Sequence, residues 1–127
     1  MTDLPPLTTD TIWAILTDQI DDDTANRLVW VALGYRYDEV ADQWDTTAVA
    51  DEWKSTYPTP PNFIDSRLAT VQLTRSIPKE NKQLLKGQLG FEGYKVDELV
   101  PRKTRRATIA NWLLSYMALQ ASEKAEK

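Results

Sequence analysis

Four cations in five residues, Arg102-Lys103-Thr104-Arg105-Arg106, form the densest run of chemistry-bearing side chains in the chain. Placed at the start of a helix, such a run suits phosphate: the first backbone amides there are unpaired, and a guanidinium fork matches phosphate oxygens. Arg102, Lys103, Arg105 and Arg106 are therefore candidate phosphate or nucleic-acid contacts. The competing account is structural, with the same arginines pairing with carboxylates elsewhere in the chain. A net charge of −4 and the lack of any second basic run favour the structural account.

Asp21-Asp22-Asp23 invites a metal reading, which fails on spacing. Counted from Asp21, a calcium loop has an oxygen ligand at its fifth position, glycine at the sixth and glutamate at the twelfth. Here those positions hold Ala25, Asn26 and Ala32. Helix capping and attraction to the helix dipole explain the three acids more simply. Gly87, Gly90 and Gly93 lack the lysine-serine/threonine ending of a phosphate loop, and Lys82 and Lys86 read as solvent-facing.

The sequence contains neither histidine nor cysteine. Structural zinc sites, haem and iron–sulfur ligation, Ser-His-Asp and Cys-His catalysis all draw on one of them. Paired carboxylates, a depressed lysine or carboxylate-held magnesium would be needed instead, and no pattern points to them. No catalytic residue, cofactor or metal site is assigned. Among five tryptophans, Trp13, Trp30, Trp53 and Trp112 sit at helical core spacing. Trp44 and Tyr37 fall on a loop and are the candidate partner contacts, since interface anchors are enriched in Trp, Tyr and Arg.

At 127 residues the chain fits one domain, long enough to bury roughly two-thirds of its unfolded surface. No apolar run approaches the roughly 20 residues that span a bilayer. The first residues carry no positive region or apolar core of a signal peptide, and a cysteine-free chain has no disulfide framework. A cytoplasmic protein without a membrane span is expected. Charge divides unevenly: residues 1–65 hold 13 acids against 3 bases, and residues 66–127 hold 6 against 12. Either the halves neutralise each other on folding, which is the simpler expectation, or they form opposite faces.

These residues need elements to position them. After an extended leader over 1–7, Thr8 or Thr9 caps a helix with Ile12, Trp13, Leu16 and Ile20 on one stripe, which the acid run ends. A second helix spans 24–33, apolar nearly all round and so deeply buried, with Gly34 as its C-terminal cap. Residues 35–44 read as an irregular hairpin or loop. Asp45 caps a third helix over 46–56, and Pro58, Pro60 and Pro61 enforce an extended connector anchored by Phe63 and Ile64. Ala69, Val71 and Leu73 alternate with Thr70, Gln72 and Thr74 as in a half-buried strand. A fourth helix runs from Pro78 to Gly90, residues 91–99 form a second strand or arm, and 122–127 a frayed tail. The last helix, about 104–121, has Ala110, Leu113, Leu114 and Met117 on one face and Ile109, Trp112, Tyr116 and Leu119 on the next. The remaining stripe of Thr108, Asn111, Ser115 and Ala118 is small or short. That helix is the centre of the fold or, failing that, a dimer seam.

The segments Leu33-Gly34-Tyr35-Arg36-Tyr37-Asp38, Leu73-Thr74-Arg75-Ser76-Ile77-Pro78, Glu80-Asn81-Lys82-Gln83-Leu84-Leu85-Lys86, Thr104-Arg105-Arg106-Ala107-Thr108 and Ala110-Asn111-Trp112-Leu113-Leu114 resemble an uncharacterised family of cyanobacterial proteins with relatives in plastid-bearing plants. The resemblance spans nearly the whole chain and implies a cytosolic cyanobacterial protein. It brings no activity and no functional residue. The sequence thus predicts a single α+β domain of about five helices with a small two- or three-stranded sheet. It is read as a non-enzymatic protein–protein interaction, assembly or regulatory factor, with a homodimer possible. An RNA- or DNA-binding module using residues 102–106 ranks second.

Overall fold

The computed structural model describes residues 4–95 and 100–126. Among them the chain forms six α-helices, one 3-10 turn and a two-stranded antiparallel sheet, an α+β domain. Helix α1 (Thr9–Leu16) begins where the Thr8 side chain accepts a hydrogen bond from the Thr11 amide, and it buries Ile12, Ile15 and Leu16. It ends at Leu16, well before the acid run, and Asp18 turns the chain at φ +62. Ile20 therefore lies beyond the helix whose stripe it was expected to extend.

Asp21 caps α2 (Asp22–Leu33) by accepting from the Thr24 amide at 2.8 Å. Gly34 closes α2 at φ +110. A Cβ there would meet the Ala48 carbonyl oxygen at 2.5 Å, so glycine is required twice over, by conformation and by space. The helix is not buried all round. Ala25, Leu28 and Val29 face the core, while Val31 is 45% exposed, because the elements that follow leave one side of α2 to solvent.

The sheet is the hairpin β1 (Arg36–Asp38) and β2 (Gln43–Asp45), in the register Arg36↔Asp45, Tyr37↔Trp44, Asp38↔Gln43. Asp45 does not cap the helix expected over 46–56. Its carboxylate takes the Thr47 amide and hydroxyl instead, and that local turn competes with helix. Helix α3 is one turn, Asp51–Lys54, although Val49 and Trp53 are buried as expected. The prolines give an irregular connector held by the Trp30 indole, which donates to the Pro61 carbonyl at 2.6 Å, with Phe63 and Ile64 buried.

The largest correction follows. Residues 69–74, expected as a strand, lie inside α4 (Arg67–Ser76), capped by the Ser66 hydroxyl on the Ala69 amide. Ala69 and Leu73 are the buried pair, one helical turn apart, and Val71 is only half-buried. The helix expected from Pro78 to Gly90 is broken: a 3-10 turn (Lys79–Asn81) and a short α5 (Leu84–Leu89) flank Gln83, whose backbone is not helical. Residues 91–95 form no strand, and 96–99, the rest of that expected element, lie outside the described residues. The sheet thus joins neighbouring segments of the first half rather than two strands across a helix.

Helix α6 (Pro101–Glu126) opens with its proline as first helical residue and continues through the stretch read as a tail. It packs against α1, α2, α4 and α5 within one chain, the central position expected of it. Ile109, Ala110, Trp112, Leu113 and Leu114 are buried on two adjoining faces. Its short stripe is an anchor rail. Asn111 accepts from the Leu85 amide and donates to the Asn81 carbonyl, both at 3.1 Å, and Ser115 accepts from the Asn81 amide nitrogen at 3.1 Å. These bonds hold the short 3-10 and α5 elements, which make few helical bonds of their own. Every buried side-chain polar atom among the described residues has a partner.

Candidate functional site

The hairpin and the head of α6 carry the residues singled out from the sequence, and the fold treats the two sets differently. At the hairpin, strand alternation puts Tyr37 and Trp44 on one face as cross-strand partners. Their rings meet edge to face at 5.2 Å, and Trp44 meets Trp30 of α2 the same way at 5.8 Å. Trp44 is half-buried by that anchor, whereas Tyr37 is 46% exposed and donates its hydroxyl to Asp42. The hairpin root is fixed by Tyr35, fully buried, whose hydroxyl donates to the Tyr57 carbonyl at 2.7 Å; burial pushes its pKa up to about 12. Apart from Trp44, residues 36–45 are exposed, and Val40 at the tip is 99% so.

Charge on the hairpin is one-sided. Asp38 accepts from the amides of Val40 and Ala41 and shapes the turn, and Asp42 adopts φ +53. The Thr47 hydrogen bonds hold the Asp45 carboxyl below the usual range. Arg36 stands across from Asp45 in the sheet register, yet its guanidinium donates to the carbonyls of Val31 and Tyr35 at the end of α2. Among the described residues, Asp38, Glu39, Asp42 and Asp45 form no ion pair.

At the head of α6 the four cations separate. Arg106 is 1% exposed; its guanidinium donates to the carbonyls of Ile15 at 3.2 Å and Ile20, and to Asp22 at 2.7 Å. Arg102 forks onto Asp18 at 2.8 and 2.9 Å and reaches Asp22 at 3.1 Å. These bonds raise the Arg102 pKa and hold the Asp18 carboxyl below the ordinary carboxylate range. Arg105 turns away to donate to the Ile64 carbonyl at 2.8 Å, and Lys103 lies 5.9 Å from the centre of the Tyr94 ring. The acid run divides likewise: Asp21 caps α2, Asp22 joins the arginines, and Asp23 pairs with Arg27 at 2.8 Å. No group of three or more carboxylates placed to hold a metal ion occurs among the described residues.

The residues that sequence reasoning passed over are Asp18 and Asp22 as specific partners. The unequal charge of the two halves was the signal that such pairs exist, but nothing local named them. Two shallow clefts flank this region. One, about 420 Å³, is lined by Arg67, Thr70, Val100, Pro101, Thr104 and Arg105, among others. The other, about 310 Å³, lies between Leu16, Phe91, Tyr94 and the Arg102–Arg106 side of α6. No helix among the described residues is long and apolar enough to cross a membrane.

Residues 6–118 match the model of a family described as a domain of unknown function (DUF1823). The chain is similar, at 57% identity and a TM-score of 0.80, to a protein whose structure was determined by NMR in solution; the likeness covers 95% of this chain and 99% of that one. Among curated proteins, none matches.

Proposed function

The chain belongs to the DUF1823 family, and from that premise we propose that it is a non-enzymatic protein–protein interaction module, an adaptor, assembly or regulatory factor, acting in the cytoplasm of a cyanobacterium and related to plant proteins. One observation carries this: Tyr37 is 46% exposed on an exposed hairpin and meets edge to face the ring of Trp44, which, like the other tryptophan rings, packs in or against the core. An aromatic pair anchored at one ring and open at the other presents rigid contact area at low entropic cost, as interface hot spots do. The lack of histidine and cysteine supports a non-catalytic role.

The test is affinity capture from native cells with the wild-type chain and with Tyr37→Ala, read by mass spectrometry. One stoichiometric protein lost in the variant supports the proposal. Retention of every captured protein by Tyr37→Ala, with the variant folded, would sink it. A second copy of the chain recovered through the same residues would make the partner a homodimer mate.

The second reading, an RNA- or DNA-binding module built on Arg102, Lys103, Arg105 and Arg106, draws on Arg105, which lines the larger cleft with Arg67. It ranks lower because Arg102 and Arg106 already satisfy their charge on Asp18 and Asp22. Ribosomal proteins or RNA dominating the capture would move it to first place.

A further inference from the structure

Resting on the interaction reading above, we infer that the hairpin's partner is a basic, arginine-bearing protein segment that lays a guanidinium on the open ring of Tyr37 while its charge meets Asp38, Glu39, Asp42 and Asp45. Complementarity of charge selects this occupant. Within ten residues the hairpin carries four carboxylates and one cation, Arg36, and that cation is drawn off to the carbonyls of Val31 and Tyr35. The carboxylates share no ion pair with any described residue. They flank a ring whose face attracts cations through its quadrupole, and arginine stacks on such a face better than lysine does. The strands are short enough that charges on both faces of the hairpin act together, within a Debye length of about 8–10 Å. An acidic or nucleic-acid ligand would meet uniform repulsion here. The side chains need no rearrangement to receive a cation, because Trp30 fixes Trp44 and Trp44 fixes the Tyr37 ring.

The experiment uses the full chain, isotopically labelled, titrated with a short peptide of alternating arginine and serine, and with its lysine and glutamate counterparts. Amide shifts should concentrate in residues 36–45 with the arginine peptide, weaken with the lysine peptide and be absent with the glutamate peptide. The variant carrying Asp38→Asn, Asp42→Asn and Asp45→Asn keeps the hydrogen-bond acceptors of the turn and removes three charges. It should bind about tenfold more weakly, and Tyr37→Ala roughly two- to fivefold more weakly. Added salt should weaken the wild type more than the charge-stripped variant. Shifts spread over the acids of α1 and α2 as strongly as over the hairpin, or binding unchanged in both variants, would overturn the inference, since that is the behaviour of any acidic protein.

A photo-crosslinking amino acid in place of Val40, at the exposed tip, separates this inference from the reading beneath it. A native partner crosslinked there through a basic peptide supports both. A partner crosslinked through an acidic or wholly apolar peptide leaves the interaction reading standing and overturns the basic segment. A native partner unaffected by Tyr37→Ala and never crosslinked at the hairpin overturns both.

Discussion

The head of α6 and the hairpin are both built from residues that favour interfaces, arginine in one and aromatics in the other, yet they serve opposite ends. Arg106 is buried to the last few per cent and gives its guanidinium to two carbonyls and a carboxylate of the same chain. Tyr37 keeps nearly half its surface in water, with one bond to a neighbour five residues away. The arginines join segments 84 residues apart in the chain; the hairpin bonds mostly within itself. Residue type alone therefore does not mark a contact surface. What separates the regions is whether the polar atoms and charges have already been matched inside the fold.

Mutation should separate them in the same way. Arg106→Ala should have the largest effect, destabilising the chain by about 3 kcal/mol. That lies at the low end for breaking a buried pair, because Asp22 retains access to water. Urea unfolding would measure it, and a loss below about 1 kcal/mol would place the arginine network outside the structural core. Gly34→Ala tests the joint between the regions. Its positive φ and the Ala48 carbonyl 2.5 Å from the new Cβ should cost about 2 kcal/mol or more, with the hairpin amides shifting most in NMR spectra.

A smaller effect should come from pH. Arg102 holds Asp18 below the ordinary carboxylate range, so this pairing stabilises the fold above the unfolded carboxylate value, about 3.9. It is lost as pH falls through the lower folded value. Asp18→Asn should flatten that part of the decline in melting temperature on acidification. Its cost near neutrality should be under about 1 kcal/mol, since the pair is half-exposed and screened. Smallest of all, Tyr37→Ala should change stability by no more than about 0.5 kcal/mol while weakening partner capture. A large stability loss there would make the hairpin a structural element and erase the contrast.

Much of this arrangement was legible in the sequence, and the failures have physical causes. Gly34 as a cap, Phe63 and Ile64 as anchors, the hairpin over 35–44 and the centrality of the last helix all follow from local chemistry or from a long periodic stretch. The segment 69–74 misled because six alternating residues satisfy a strand pattern while Ala69 and Leu73 also satisfy a helical one. Ser66, placed to cap, was the deciding signal. Asp45 failed as a helix cap because Thr47 offers its carboxylate a closer turn. The short 3-10 and α5 elements depend on Asn111 and Ser115, some 30 residues on, and no local pattern encodes that support. For the candidate site, Tyr37 and Trp44 stand out by residue type alone, but their one-sided charge depends on Arg36 turning away to the carbonyls of Val31 and Tyr35, which no local pattern encodes.

The place of α6 also bears on how the chain reaches its folded state as it is made. Helices α1 and α2 find their wall in a helix that leaves the ribosome after them, and Arg106 closes on Asp22 only across that whole interval. Until then the acidic first half lacks the apolar cover of α6 and the counter-charges of Arg102 and Arg106. Its own repulsion holds the nascent segment open and in water, which lessens the risk of premature collapse and aggregation. Arrival of the basic helix supplies cover and neutralisation in one step, so the domain should complete its fold late and as a single cooperative unit.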